Sequence, residues 1–115
     1  MRAGGISIHC VDVATGQPAR GMAVSLHRLS ADEVLLAVGL IGANGQLDHP
    51  TVRGEGIIAG TYEVRFHIGD YLRAQGQFAG FLDVVPFRFV IEDIGPHLHL
   101  PMKFTPYGYA IFKGV

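Results

Sequence analysis

The sequence predicts an all-β protein, an antiparallel β-sandwich of about eight strands with one short helix. Segments in which apolar and polar residues alternate recur along the 115 residues, and this alternation is typical of strands with one buried face. Sixteen glycines and six prolines, spread through the chain, separate these segments with turn residues. No linker, repeat or low-complexity tract interrupts them, so we predict a single domain over residues 1–115.

The first half of the chain is predicted to hold three strands and a short addition. Segments 6–13 and 22–27 alternate between an apolar face and a more polar one. Segment 33–41 is a continuous apolar run rich in Val and Leu, which favours a central strand, and the Asn44-Gly45 pair that follows is a strong turn signal. The irregular segment 54–60 could add a short edge strand.

The second half is predicted to hold four strands and the helix. Segment 61–68 has the clearest period of two in the sequence. Segment 70–75 has the composition of one short helix, and segment 86–92 alternates again as a strand. The tail, residues 97–115, is predicted to form two strands joined at Thr105-Pro106.

Charge and composition exclude several classes of function. Nine basic and ten acidic residues give a formal net charge of −1, so we expect no basic surface for nucleic acid or an anionic membrane. The single cysteine, Cys10, excludes an internal disulfide. No apolar run approaches the ~20 residues of a membrane span, and the first residues lack a signal-peptide core. We therefore expect a soluble, cytoplasmic protein.

Apolar surface is abundant for so short a chain. Hydrophobic residues make up 49% of the sequence and charged residues only 17%. Excess apolar surface on a small domain is commonly buried between subunits. The composition therefore favours an oligomer.

Three histidines are the candidates for chemistry. His97 and His99 share one face of the first tail strand; from the residues alone they are solvent-side histidines, and as a metal pair they lack a third ligand at a characteristic spacing. His9 lies opposite the apolar face of its strand, where a neutral imidazole can act as general acid or base, although a solvent-side position is the simpler interpretation. No Gly-x-Ser-x-Gly turn is present and Cys10 has no cationic neighbour in sequence. Histidine-activated water is therefore the chemistry that the residues favour.

Six motifs, in order along the chain, resemble those of a known family. They are Ile8-His9-Cys10-Val11-Asp12, Asn44-Gly45, Gly60-Thr61-Tyr62-Glu63-Val64, Phe81-Leu82-Asp83-Val84-Val85-Pro86, His97-Leu98-His99-Leu100-Pro101 and Pro106-Tyr107-Gly108-Tyr109. The combination of His-x-His-Leu-Pro with Pro-Tyr-Gly-Tyr is the most specific. In these motifs and their spacing the chain resembles the transthyretin-related proteins, and among them the 5-hydroxyisourate hydrolases of urate degradation.

The resemblance implies a transthyretin-like sandwich that assembles as a homotetramer, with active sites in the groove where dimers meet. His9 and His99 match the two catalytic histidines of that family. The reaction implied is hydrolytic opening of a cyclic amide in a purine-derived substrate, by water that a histidine activates. Neither a metal nor another cofactor is implied.

The chain departs from the family pattern at two places that the resemblance assigns to the site. Gln46 stands where the family has an arginine, and the chain ends in Phe112-Lys113-Gly114-Val115 where the family has Tyr-Arg-Gly-Ser. Glutamine is neutral and lacks the cationic fork of arginine, and the tail loses two hydroxyl groups. We predict that Gln46, Phe112, Lys113 and Val115 bind the substrate and set its specificity.

Two interpretations of these changed site residues stay open. In the first, the chain hydrolyses 5-hydroxyisourate or a modified, less polar ring, for example an N-methylated hydroxyisourate. In the second, it is a non-catalytic relative that binds a small ligand in the same groove, as transthyretin does. The presence of both His9 and His99 favours the first, because a pure binder has no evident need for them.

Overall fold

The computed structural model describes residues 3–114, which form two four-stranded sheets. The strands are β1 (Ile6–Asp12), β2 (Gln17–Pro18), β3 (Ala23–Leu29), β4 (Glu33–Leu40), β5 (Gly60–His67), β6 (Val84–Ile91), β7 (Leu98–Thr105) and β8 (Gly108–Ile111). One sheet has the strand order β2-β1-β7-β8 and the other β4-β3-β5-β6. A 3₁₀ helix spans Pro50–Arg53, and one α-helix, α1, spans Ile68–Ala74.

The predicted sandwich of about eight strands and one short helix is confirmed. The helix begins two residues earlier than the sequence suggested. Segment 54–60 holds no strand before Gly60, and the additional strand is instead β2, a two-residue pairing with the end of β1. Neither helix in residues 3–114 is long and apolar enough to span a membrane.

One pairing breaks the antiparallel pattern. β1 and β7 run parallel, with Ser7 opposite His99 and His9 opposite Pro101, whereas the other pairings are antiparallel. A parallel pair needs a long crossover rather than a hairpin, and here most of the chain separates the two strands. This pairing brings residues near the two ends of the chain side by side.

The core lies between the sheets and follows the predicted alternation. The inward residues of β5 and the residue that follows it, Tyr62, Val64, Phe66 and Ile68, are fully buried. The apolar residues of β1 and β7 meet them from the other sheet; they are Ile6, Ile8, Cys10, Leu100, Met102 and Phe104. Burial of large apolar side chains contributes roughly 1.5–3 kcal/mol each, so these alternating residues hold the two sheets together. Residues between them, such as His9 and His99, are thereby directed to the outer face.

The prediction of a central position for segment 33–41 is wrong. β4 is an edge strand, and its side chains Leu35, Val38 and Leu40 are more than half exposed. The segment is apolar on both faces, a pattern typical of a strand covered on both sides. This chain covers only one of those faces.

The outer face of the second sheet carries an ion-pair network. Arg65 Nε donates to Glu63 at 2.7 Å, and its guanidinium also binds both carboxylate oxygens of Glu33. Arg88 Nη2 donates to Glu63 at 3.1 Å. These hydrogen bonds hold the pKa of Glu63 below its ordinary value, and the one from Arg65 has the largest effect. Glu63 therefore lies on the outer face and is nevertheless buried, with two arginines bound to its carboxylate.

His27 lies on the same outer face and is also buried. Its Nε2 lies 2.8 Å from Ser25 Oγ. Burial lowers the pKa of His27, and the positive charge of Arg65 lowers it further. The imidazole is therefore favoured in its neutral form.

Candidate active site

The two candidate catalytic histidines lie on one face of one sheet. β1 and β7 are parallel, and Ser7 lies opposite His99. His9 is therefore offset from His99 by two residues along the strand direction. Both side chains point away from the core. Their ring centroids are 6.5 Å apart and their planes are tilted by 43°. Both imidazoles are partly exposed. The fold therefore brings together two groups that the sequence separates by 90 positions.

The turn after β4 lies against His9. The backbone of Gly45 accepts a hydrogen bond from Cys10 N at 2.8 Å, and Leu47 N donates to Ile8 O at 3.2 Å. Gly45 has φ of +82°, and a Cβ there would lie 2.6 Å from His9 Nε2. Two constraints therefore favour glycine at this position: the left-handed backbone conformation and the close imidazole. The Asn-Gly turn forms one wall beside His9.

Gln46 is placed next to the same histidine. Its backbone forms an isolated antiparallel bridge with His9, and Asn44 Oδ1 accepts a hydrogen bond from Gln46 N at 3.0 Å. The residue is exposed. Of the three predicted substrate-binding residues within 3–114, Gln46 is the one directly paired with a candidate catalytic residue.

The tail returns to His99 after β8 ends. Gly114 N donates to His99 O at 2.7 Å, and a Cβ on Gly114 would lie 2.9 Å from His99 Cδ2. Phe112 and Lys113 precede this contact and are exposed. Val115, also predicted to bind substrate, lies outside the described residues.

Ser7 is a site residue that the sequence did not single out. It is buried on the outer face between two histidines, with Oγ 2.6 Å from His99 Nδ1 and 2.9 Å from His97 Nε2. His97 Nδ1 in turn lies 2.7 Å from Gly4 O. The spacing of two residues indicated that Ser7 shares the outer face of β1 with His9. Its contact with His99 could be inferred only from the pairing of β1 with β7.

These contacts bear on the alternative in which His97 and His99 form a metal pair. Both ring nitrogens of His97 already have hydrogen-bond partners, and so has Nδ1 of His99. Within residues 3–114, no three His, Cys, Asp or Glu side chains are grouped so that they could hold a metal ion. A metal at His97 would have to displace Gly4 or Ser7.

Cys10 lies beside His9 in sequence but on the opposite face of the strand. It is fully buried among core residues, and burial raises the pKa of its thiol to about 12. A thiol in this state is a poor nucleophile. Cys10 therefore belongs to the core and not to the site.

A cavity of about 560 Å³ lies away from the histidine face. Its lining includes Phe89 of β6, Leu100 of β7, His97 and Lys113. His9, Gln46 and His99 do not line it. We place the candidate site on the open sheet face because the groups able to exchange protons lie there.

A family model described as the HIUase/Transthyretin family matches residues 6–114. The chain belongs to the HIUase/transthyretin family. This membership confirms the resemblance inferred from the six motifs, and the match covers both strands that carry the candidate histidines.

Individual members of the HIUase/transthyretin family match over nearly the full length. The chain is 38% identical over 117 residues to 5-hydroxyisourate hydrolase 2 of Rhizobium meliloti, covering 98% of each chain. It is similar to the structure of Klebsiella pneumoniae 5-hydroxyisourate hydrolase, with a TM-score of 0.82, 30% identity and complete coverage of both chains. It is also similar to sea bream transthyretin in complex with thyroxine, with a TM-score of 0.86 and 25% identity, covering 96% of this chain and 94% of that one.

Proposed function

We propose that the chain hydrolyses 5-hydroxyisourate, or an N-methylated form of it, in purine degradation. One observation carries this proposal. In a chain similar over its whole length to a 5-hydroxyisourate hydrolase, His9 and His99 face the same side of one sheet with ring centroids 6.5 Å apart. Two imidazoles at this separation can reach a substrate atom or water held between them.

The proposed reaction opens a cyclic amide without a covalent enzyme intermediate. One imidazole accepts a proton from water as the water oxygen attacks the carbonyl carbon. The tetrahedral intermediate then expels the ring nitrogen, which receives a proton from the other imidazole. The products are a carboxylic acid and a free N–H group, and no metal or other cofactor takes part.

We assign the choice of ring to Gln46 and the tail. The backbone of Gln46 forms a bridge with His9, so the Gln46 side chain branches from a position next to the site. An amide both donates and accepts hydrogen bonds without charge, whereas arginine is a fixed cation. This exchange favours a less acidic ring, such as one that methylation has deprived of N–H groups. Phe112, Lys113 and Val115 are proposed to complete the binding surface through the contact of Gly114 with His99.

We further propose that the working form is a homotetramer whose sites lie between dimers. The histidine face is an open sheet surface within one chain, so a neighbouring subunit would be needed to enclose the substrate. Many large apolar side chains are exposed as well, including Leu40, Phe81, Tyr107 and Phe112, and such surfaces mark subunit contacts. Light scattering during size exclusion should give the mass of four 12.4 kDa chains. The cytoplasmic location stays a prediction.

Binding without catalysis is the second candidate function. The similarity to a transthyretin solved with thyroxine supports it, because the same fold can hold a small aromatic ligand. A carrier does not account for two neighbouring imidazoles on one face of a sheet, or for a buried serine that binds one of them. We therefore rank it second.

The experiment that tests the proposal measures turnover of freshly generated 5-hydroxyisourate and of its N-methylated form. Hydrolysis of either ring should be much faster with the protein than without it, and the decay of the substrate absorbance reports the rate. Equilibrium dialysis of a stable ring analogue, run in parallel, reports binding. Saturable binding with no turnover of either ring would establish the carrier and overturn the hydrolase.

A further inference from the structure

With His97 neutral, the hydrogen bonds that connect Gly4, His97, Ser7 and His99 determine the direction of each proton in the series. Gly4 O is a carbonyl and can only accept, so the 2.7 Å contact requires a proton on His97 Nδ1. In a neutral imidazole the other nitrogen is then an acceptor. His97 Nε2, at 2.9 Å, therefore accepts the hydroxyl proton of Ser7.

The single proton of Ser7 decides what happens at His99. A hydroxyl has one proton to donate, and here it is already committed to His97. The remaining contact, 2.6 Å between Ser7 Oγ and His99 Nδ1, is then donated by His99. His99 carries its proton on Nδ1, and the lone pair of Nε2 is left free for the reaction.

We propose that Ser7 and His97 are positioning residues that hold His99 in its Nδ1–H tautomer, so that His99 Nε2 is the proton acceptor of the reaction. This inference rests on the proposed hydrolysis and assigns the base within it. In free histidine the two neutral tautomers exchange readily, and a hydrogen bond at one nitrogen selects the state of the other. Ser7, buried between β1 and β7, supplies that selection, and His97 orients Ser7.

The surroundings of Ser7 suit this role. Ser7 is only 8% exposed, and its hydroxyl makes no other side-chain hydrogen bond among the described residues. Solvent therefore does not compete for the hydroxyl. His97 is exposed, yet both of its nitrogens are held, so it can keep the hydroxyl in one orientation while substrate enters beside His99.

The test combines NMR of the histidine nitrogens with kinetics in the full-length protein. Long-range ¹H–¹⁵N correlation spectra distinguish a protonated from an unprotonated ring nitrogen. We expect His99 to be protonated at Nδ1 in the wild type and in Ser7→Thr, which keeps the hydroxyl. In Ser7→Ala the proton should move to Nε2 in a large fraction of molecules, and kcat should fall roughly 10–100-fold with little change in KM, less than the ~10²–10⁴-fold that a general base supplies.

A matched control is available in the other sheet. Ser25 is also buried, and its Oγ lies 2.8 Å from His27 Nε2, so Ser25→Ala removes a serine–histidine contact of the same kind. It should leave both kcat and the His99 spectrum unchanged. The inference is overturned if wild-type His99 carries its proton on Nε2, or if Ser7→Ala keeps the Nδ1 proton and full activity. Since the tautomer is read without substrate, failure of the hydrolase proposal would appear separately, as absence of turnover with an Nδ1–H spectrum.

Discussion

A methyl group on Gly45 would lie 2.6 Å from Nε2 of His9, closer than two such atoms can approach. The turn that follows β4 and the imidazole on β1 are therefore in contact at a position where only hydrogen fits. The orientation of His9 depends on this turn as much as on its own strand.

The contact predicts the effect of Gly45→Ala. The added methyl group should push the imidazole of His9 aside and lower kcat by about 10²-fold, the order of loss expected for a misplacement of ~1 Å at a reacting group. Gly16→Ala is the control, because Gly16 also has a positive φ, of +72°, but a Cβ there meets no atom within 4 Å. Thermal unfolding should show a similar loss of roughly 1–2 kcal/mol from backbone strain in both variants. Equal activities in the two variants would contradict the account.

Replacement of Gln46 by arginine should change which ring is preferred. A guanidinium beside His9 offers charge and a bidentate donor pair to an anionic or acceptor-rich ring edge. We expect Gln46→Arg to raise the ratio of kcat/KM for unmodified over N-methylated hydroxyisourate by about tenfold or more, which corresponds to roughly 1.4 kcal/mol. Gln75→Arg, at the end of α1, adds the same charge on another element and should leave the ratio unchanged. A ratio that moves equally in both variants would remove Gln46 from the specificity surface.

The thiol of Cys10 should be inert in the folded protein. It is fully buried, and burial raises its pKa to about 12, so the reactive thiolate is almost absent at pH 8. A disulfide reagent such as dithionitrobenzoate should label the native protein no faster than the protein unfolds, and should label it at once in denaturant. Rapid labelling of native protein would show that the face of β1 which carries Cys10 is accessible.

Acid should destabilise the protein through the outer face of the second sheet, in two stages. The folded-state pKa of His27 is lowered from 6.5, so the unfolded chain binds more protons and stability falls as the pH drops below about 6.5. The pKa of Glu63 is lowered from 4.5, and its contribution is present above that pH and lost as the pH falls towards the folded-state value. Urea unfolding between pH 7.5 and pH 3.5 measures both stages.

Substitution separates the two acid effects. His27→Gln should flatten the dependence of the unfolding free energy on pH between 7 and 5.5, whereas Glu63→Gln should flatten it below 4.5. His67→Gln, at the end of β5, is the control for replacing a histidine elsewhere on the same sheet. An upper stage that persists in His27→Gln would assign it to another histidine.

The sequence predicted most of the sandwich because most of its strands have one buried face. The period of two in segment 61–68 places Tyr62 and Phe66 in the core, where they are found. The same rule failed for β4, which is apolar on both faces although only one is covered by this chain. The pattern of apolar residues shows which faces of a strand can be buried. It does not show whether the same chain or another subunit buries them.

The candidate site was predicted in part. His9 and His99 were identified from the family motifs, and the fold places them on one face. Ser7 was not identified, because its role depends on a hydrogen bond to a residue 92 positions away, and strand pairing at that distance leaves no local pattern. The assignment of Lys113 to the substrate surface stays a prediction; the residue is exposed and precedes the contact of Gly114 with His99.

In the proposed hydrolysis, His9 and His99 act together on one substrate. The most direct measurement is the rate of 5-hydroxyisourate hydrolysis by His9→Asn, His99→Asn and the double variant, with His67→Asn as the control. Each single variant should lose about 10²–10⁴-fold in kcat, and the double variant should lose little more than the worse single one, because groups that act as a unit are not additive. Wild-type kcat in either single variant, in protein that unfolds at the wild-type temperature, would contradict the account.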